Sequence, residues 1–442
     1  MQRPLRVVVE GCCHGQLDQI YDAIAQRYSE VDLVLICGDF QAVRNEQDLN
    51  CMSVPRKYRQ LGDFHKYYHG IKKAPYLTIF IGGNHEASNY LQELRFGGWV
   101  APNIYYLGSA GCVQYKGLRI CGLSGIYNHA NYHAPRTEKS PYDGSSIRSV
   151  YHVRDNDVQL LSLLQNSDPI DVLLTHDWPR GIWQFGNQTE LLKKKPFFGP
   201  DIQKGELGSP AAESLLHYLQ PRYHFSAHLH VRFQATITHQ DQSTLNPDEI
   251  DISDHVDPVS NVPPINDRKK PINAIALGNQ PSSCQGQLNN VNPDELDLGI
   301  EITPEVPSDV AQSPAHHRTT EFLALDKCLP GRKFVELLEI VPLYHNHNEP
   351  DALCYDPQWM AILRAYLSNG GRIPDIDNVS YQRQWISRNI TNLAIPHNFY
   401  PTVPTLEQLS QDTNIPIRLL ATRQPATSIN QQTRNIFSVL GL

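Results

Sequence analysis

Eight side chains able to bind metal or move protons follow short apolar runs in the first 230 residues. They are Cys12 and His14, Asp39, Asn84 and His85, His176, and His228 with His230. A carboxylate such as Asp39 can bridge two cations a few ångströms apart. Imidazoles and the amide oxygen of Asn84 can fill the flanks, leaving open positions for water and phosphate oxygens. Taken singly, each element has an ordinary reading. Gly38-Asp39 reads as a turn, Cys12-x-His14 as a packed cysteine beside a surface histidine, and His176 as a satisfied polar residue. His228-x-His230 says more, because alternate residues of extended chain face one side. The combination, in this order and each after a strand-like run, points to a two-metal phosphoester centre.

Those side chains need elements to carry them. Tyr76 to Ile81 is a short run rich in β-branched and aromatic residues, ended by Gly82-Gly83, and reads as a strand buried on both faces. Leu5 to Glu10, Leu33 to Cys37, Ile104 to Leu107, Leu118 to Leu123, Asp171 to Thr175, Tyr223 to Ser226 and Arg232 to Ile237 read as further strands. Leu17, Ile20, Tyr21 and Ile24 share a helical face between the first two, and Leu215 to Leu219 belongs to another helix. Alternating β and α units argue a layered α/β fold. Sites in such folds lie at the carboxyl ends of strands, where these eight residues fall. Glu321 to Asp326 and Phe334 to Ile340 read as two antiparallel strands that rejoin the sheet. Asp356-Pro357 caps a helix carrying Trp359, Ile362, Leu363 and Tyr366 on one face, stopped at Gly370-Gly371.

The expected class is α/β, a two-sheet β-sandwich flanked by helices with a small, mostly helical C-terminal domain. The expected divisions are 1–238 for the catalytic domain, 239–320 for an acidic insertion, and 321–442 for the return strands and C-terminal helices. The insertion holds 13 acidic and 4 basic residues, and no aromatic residue occurs between Phe233 and Phe322. Such a stretch buries too little apolar surface to offset its ordering entropy, so disorder is expected. It contains a weak repeat, Asn246 to Ile252 and Asn292 to Leu298, a candidate motif for binding a protein partner. The net charge of -8 belongs to this segment; the rest, with 33 acids and 34 bases, is nearly neutral. Attraction for phosphate must then come from metal ions or local clusters rather than a global field.

The 9 cysteines are scattered and include no Cys-x-x-Cys pair, which fits a reducing compartment, cytosol or nucleus. No signal peptide is expected ahead of Arg3-Pro4, and no apolar run approaches the roughly 20 residues of a membrane span.

Cys12-x-His14, Gly38-Asp39, Gly83-Asn84-His85-Glu86, His176 and His228-x-His230 together resemble the calcineurin-like metallophosphoesterase superfamily. Most members carry Asp where this chain has Cys12. That exchange is a feature of the RNA lariat debranching enzymes, which the chain resembles widely. The likeness includes Gly11 to Gly15, Val54 to Arg59 with Gly62-Asp63-Phe64, and Gly122 to Tyr127. It continues in His176-Asp177-Trp178-Pro179, Leu207 to Pro210 and Ser226 to His230. The resemblance covers about 5 to 238, resumes at Phe322 to Ile340, and is weaker toward the C-terminus.

The resemblance implies metal-dependent hydrolysis of the 2′–5′ phosphodiester at the branch point of excised intron lariats, in the nucleus with shuttling to the cytoplasm. It implies His14, Asp39 and His230 around one divalent ion with Cys12 close by, and Asp39, Asn84, His176 and His228 around the other. Iron, zinc or manganese are the expected metals; a thiolate at Cys12 would favour zinc or ferrous iron over magnesium. His85 would be unligated and serve as general acid for the departing 2′-oxygen. Bracing Asn84 from outside the ligand set is its alternative role.

Branched RNA is the expected partner, gripped by stacking and phosphate contacts. The stretch from about 127 to 154 interleaves aromatic and basic residues and is the candidate recognition loop, with Tyr127, His129, Tyr132, Arg136, Tyr142, Tyr151, His152 and Arg154 as contacts. Lys193-Lys194-Lys195 is a weaker candidate, because a charge run is usually a solvated face. Two rivals stand beside this reading: a generic metallophosphoesterase acting on nucleotides or phosphoproteins, and a metal-poor binding scaffold of the same fold.

Overall fold

A computed structural model describes residues 3–239, 319–343, 351–426 and 428–442. The expected disorder of the insertion and its repeat fall outside these residues.

Among the described residues, thirteen strands form two mixed sheets. They are β1 (Leu5–Glu10), β2 (Leu33–Ile36), β3 (Thr78–Phe80), β4 (Gly98–Ala101), β5 (Ile104–Tyr106), β6 (Ala110–Tyr115) and β7 (Leu118–Leu123). The rest are β8 (Val172–Thr175), β9 (Tyr223–Ser226), β10 (Phe233–Thr238), β11 (Thr319–Ala324), β12 (Val335–Ile340) and β13 (Leu353–Tyr355). One sheet runs β12-β1-β2-β3-β5-β4, the other β10-β11-β9-β8-β7-β6-β13. Val7, Val9, Leu35, Ile79 and Ile81 of the first sheet pack against Ile120, Leu174, Phe225 and Leu323 of the second in one buried core. The opposite faces are covered by helices. Leu17, Ile20 and Ile24 of the helix Leu17–Arg27 pack on Val8 and Val34, and Trp359, Ile362 and Leu363 of the helix Pro357–Ser368 pack on Cys112 and Leu173. The central strands are thus covered on both faces, which is why they read as continuous apolar runs, while the edge strand β10 alternates buried and exposed residues. The expected two-sheet α/β sandwich with a helical C-terminal region is the observed one.

Three strands escaped the sequence reading. β4, β6 and β13 are short or carry Gly and Ala, and show neither alternation nor a β-branched run. A further expectation is corrected: β11 and β12 do not pair with each other. β11 lies between β10 and β9 in the second sheet, and β12 joins β1 in the first. The connection Leu325 to Phe334 therefore crosses from one sheet to the other. It touches the first-strand loop on the way, with Cys328 N–H donating to Cys12 O at 3.2 Å.

Thr238 pairs with Thr319 in an antiparallel ladder, and His239 contacts Thr320 Oγ1 at 2.7 Å. The two flanks of residues 240–318 are thus neighbours on adjacent strands. Replacing 240–318 by a hairpin turn of about four residues should keep kcat/KM on a short branched RNA within about twofold, since such a turn suffices to close the ladder. A larger fall would assign catalysis to the removed segment.

The turn after β2 is bolted to the helix Ser88–Glu93 by a buried ion-pair set. Arg44 donates to Asp48 at 2.8 Å and to Glu93 at 3.0 Å, and Asn89 Nδ2 donates to Asp48 at 2.6 Å. Arg44→Ala would strand two buried carboxylates, so a loss of about 3–5 kcal/mol is expected in denaturant unfolding. A loss under about 1 kcal/mol, typical of an exposed pair, would contradict the role of this bolt.

Candidate metal centre

The ligand-type residues follow β1, β2 and β3, which are neighbours in one sheet, and β8 and β9, neighbours in the other. All five strands run parallel with their local partners, so their carboxyl ends present their loops at one edge of the sandwich. The sequence-predicted residues do converge there. Ligand atoms of Cys12, His14, Asp39 and His230 all lie within 4.8 Å of one another. His14 Nε2 and His230 Nε2 face each other at 3.2 Å, and His14 Nε2 is 3.7 Å from Asp39 Oδ2. On the other side of Asp39, His176 Nε2 sits 3.4 Å from Oδ1 and its ring is 5.0 Å from that of His228.

Three atoms of the expected ligand residues are buried with no hydrogen-bond partner among the described residues: Asp39 Oδ2, Asn84 Oδ1 and His176 Nε2. Orphaned buried polar atoms are costly unless something absent from the protein itself pairs with them. A carboxylate, an amide oxygen, imidazole nitrogens and a thiol are the donor set of a borderline divalent cation, so the residues fit a metal centre. His176 Nδ1 donates to Cys37 O at 2.7 Å, which leaves Nε2 as the ring nitrogen turned toward Asp39.

The backbone is strained around the same point. His14, Asp39, His228 and His230 all adopt positive φ, at 46°, 49°, 59° and 50°. Left-handed non-glycine residues cost about 1–3 kcal/mol each and persist where the surroundings force them. Glycines supply the remaining space. A Cβ on Gly83 would lie 2.3 Å from Asp39 Oδ1 and 2.7 Å from His176 Nε2, and one on Gly38 would lie 2.2 Å from His176 Nδ1.

Electrostatics agree with a cation site. Burial alone would raise the Asp39 carboxyl, but the neighbouring His176, His14 and His85 hold it well below its usual range. Burial would lower His176; the Asp39 charge outweighs it and lifts the imidazole to about 9. Burial lowers His228, and it lowers His230 to about 3. Burial, with Asp39 and Glu10 nearby, pushes the Cys12 thiol well up, so in the absence of a cation it is neutral. Cys12 Sγ accepts a hydrogen bond from His228 N–H at 3.3 Å, and Cys12 and Cys13 are free thiols rather than a vicinal disulfide.

His85 is held differently. Its backbone N–H donates to Asp39 Oδ1 at 2.8 Å, and its ring stands 5.4 Å from the His14 ring. Glu86, next in the chain, accepts from Phe40, Gln41 and Gly83 N–H groups at 2.8, 2.8 and 2.9 Å. It ties the turn after β3 to the turn after β2. Sequence reasoning gave Glu86 no role, although it stood in the quoted motif. The same is true of Asp177, which accepts from Tyr127 N–H at 2.7 Å and lies 3.7 Å from His228 Nε2. Asp177 so joins a ligand residue to the start of the 127–154 loop.

That loop carries short helices at His129–Tyr132 and Ser146–Ser149. Together with the turn after β3 it encloses a cavity of about 120 Å³ lined by Gly82, Gly83, Arg136 and Tyr151. Several of the expected RNA contacts have their side chains engaged with other residues of the protein. Arg154 is buried on Glu138 at 2.6 Å, Arg136 pairs with Asp157, His152 is buried against Asn131, and Tyr142 is buried with its hydroxyl on Gln92. Gln424 pins the loop from the C-terminal region, accepting from Tyr142 N–H at 2.6 Å and donating to Tyr142 O at 2.9 Å. His129 is exposed, and Tyr127, Tyr132 and Tyr151 are half-buried, so these four stay open to a ligand.

Residues 5–232 match the calcineurin-like phosphoesterase family, and residues 317–442 match the C-terminal domain of lariat debranching enzymes. The chain is 40% identical to lariat debranching enzyme A of Xenopus laevis over 458 aligned positions, covering 99% of this chain and 70% of that protein. It is 41% identical to the Homo sapiens lariat debranching enzyme, with 99% and 69% covered. It is 39% identical to the Schizosaccharomyces pombe one, with 99% and 96% covered.

Proposed function

Because the chain belongs to the lariat debranching enzyme family of calcineurin-like phosphoesterases, we propose that it hydrolyses the 2′–5′ phosphodiester at the branch point of excised intron RNA, linearising it for turnover. The observation that carries the reading is the cage itself: side chains from five separate loops gather around Asp39, and His85 stands beside them. A nuclear location, where excised introns arise, belongs to this reading.

Two divalent ions are proposed, one held by His14, Asp39 and His230 with Cys12, the other by Asp39, Asn84, His176 and His228. Bound divalent cations supply Lewis-acid chemistry, activating a water for attack at phosphorus and offsetting charge on the phosphate oxygens. The protein groups do the rest. Asp39 is the shared anion, and its oxygen is also oriented by the His85 N–H. Glu86 and Asp177 hold the ligand turns in register. His85 donates a proton to the ribose 2′-oxygen as the bond to phosphorus breaks, since an alkoxide is a poor leaving group. The products are a free 2′-hydroxyl on the branch nucleotide and a 5′-phosphate on the released arm. His129, Tyr127, Tyr132 and Tyr151 present the stacking surface that unpaired bases need.

Chelation tests the metal requirement. Cleavage of a branched oligoribonucleotide should stop after exhaustive chelation and return on adding back iron, zinc or manganese singly. Undiminished cleavage by metal-free protein would refute the proposal.

A further inference from the structure

The ligand-bearing strands are flanked on both sides in both sheets. β3 and β8 are followed outward by β5 and β7, and the 127–154 loop leaves from the end of β7. β1 and β9 are followed outward by β12 and β11, and the crossing connection between those two strands lies on that flank. The recognition loop and this crossing segment therefore border the cage from opposite sides.

Lys327 lies in the crossing segment. Its backbone bridges Cys12, and the Lys327 N–H is fixed by Asp326 Oδ1 at 2.8 Å. Its half-buried ammonium has no hydrogen-bond or ion-pair partner among the described residues. Asp326, the nearest carboxylate in the segment, is engaged with Arg332 at 3.2 Å. Cys12, which Lys327 bridges, has its sulfur within 4.8 Å of the ligand atoms of His14, Asp39 and His230, so the crossing segment runs beside the cage. Lys195, from the run at 193–195, is half-buried and stands 5.7 Å from the ring of Phe197, which is 68% exposed. Leu191 and Phe198, on either side of Lys195, pack in one buried cluster with Phe322 and Ala324 of β11, which sets the 193–198 segment beside the strand that leads into Lys327.

A lone ammonium beside a cation cage repels the cations it borders. An anion between them relieves that repulsion, and the anion of this reaction is a phosphodiester. A branch point also sends three RNA arms away from the scissile phosphate, and one loop on one side cannot hold them all. We propose that Lys327 and Lys195, with the exposed ring of Phe197, form a second RNA grip on the His14–His230 side of the cage, taking the phosphates and a stacked base of one single-stranded arm. Basic groups beside an exposed aromatic ring are what unpaired RNA binds. The inference rests on the debranching reading and adds a substrate site to it.

The test is binding of a fluorescent branched oligoribonucleotide to metal-loaded His85→Ala protein as a function of salt. Lys327→Gln and Lys195→Gln should each weaken binding and lower the slope of log K against log salt by about 0.7, the contribution of one phosphate contact on a single strand. Lys327→Arg should restore the slope. Phe197→Ala should weaken binding and leave the slope unchanged, because stacking releases no counterions. Metal content should stay level or rise in Lys327→Gln, which also shows that the variant is folded. Slopes unchanged in both glutamine variants would overturn the proposal. A parent protein that binds branched RNA no better than linear RNA would instead overturn the debranching reading beneath it.

Discussion

His85→Ala should lower single-turnover cleavage of branched RNA by about 10²–10⁴-fold, the usual worth of a positioned general acid, while metal content stays at the level of the parent protein. Two features make this the largest expected effect of any single side chain outside the ligand set. The His85 backbone N–H is committed to Asp39 Oδ1 at 2.8 Å, which fixes the residue at the cage, while its ring stands edge-on to that of His14 at 5.4 Å. Replacing the ring by a methyl group keeps the backbone hydrogen bond, so the cage should survive. The chemistry can be isolated further. When the bridging 2′-oxygen is replaced by sulfur, the leaving thiolate needs no proton, and most of the loss in His85→Ala should vanish. Loss of metal from the variant would make His85 a ligand. A defect that persists in full with the sulfur substrate would make it a brace for Asn84.

Gly83→Ala should be nearly as damaging through one added methyl. That Cβ would sit 2.3 Å from Asp39 Oδ1, 2.6 Å from Asp39 N and 2.7 Å from His176 Nε2. None of these is the free end of a flexible side chain. Asp39 is buried at a positive φ, and His176 is tied to Cys37 O. Relief requires pushing the turn after β3 away from the turn after β2, which parts Asn84 from Asp39 and His176. A displacement near 1 Å at a reacting centre costs about 10²-fold or more, so activity should fall at least that far, together with metal bound by the Asn84 half. Gly144→Ala is the control: nothing lies within 4 Å of its added Cβ, and it should change stability by no more than about 0.5 kcal/mol. Full metal occupancy and activity in Gly83→Ala would show that the turns are not locked as described.

The strands and the cage were legible because buried parallel strands leave a strong trace. Apolar runs such as Leu33 to Ile36 end abruptly in Gly38-Asp39, and the change from apolar to ligand residue marks the sheet edge. What was not legible depends on partners distant in sequence. β11 and β12 are equally apolar, and nothing local says that one pairs with β9 and the other with β1. Arg154 and Arg136 carry the same charge whether they meet RNA or a carboxylate. Only the fold brings Glu138 and Asp157 to them. Glu86 and Asp177 stood in recognisable motifs, but their task is to accept backbone N–H groups from other loops, which spacing along the chain does not reveal. Lys327 is the extreme case: a lysine after the insertion whose backbone is brought beside Cys12 by the crossing between two sheets.

The central claim is selectivity for the branch linkage at a metal cage, and one comparison tests it most directly. Metal-loaded wild-type protein is given a branched oligoribonucleotide and a linear one of the same sequence, under single-turnover conditions. The account predicts that the 2′–5′ bond is cleaved, releasing an arm with a 5′-phosphate, while every 3′–5′ bond in both molecules survives. Equal cleavage of the two linkages, or an intact branch, would contradict it.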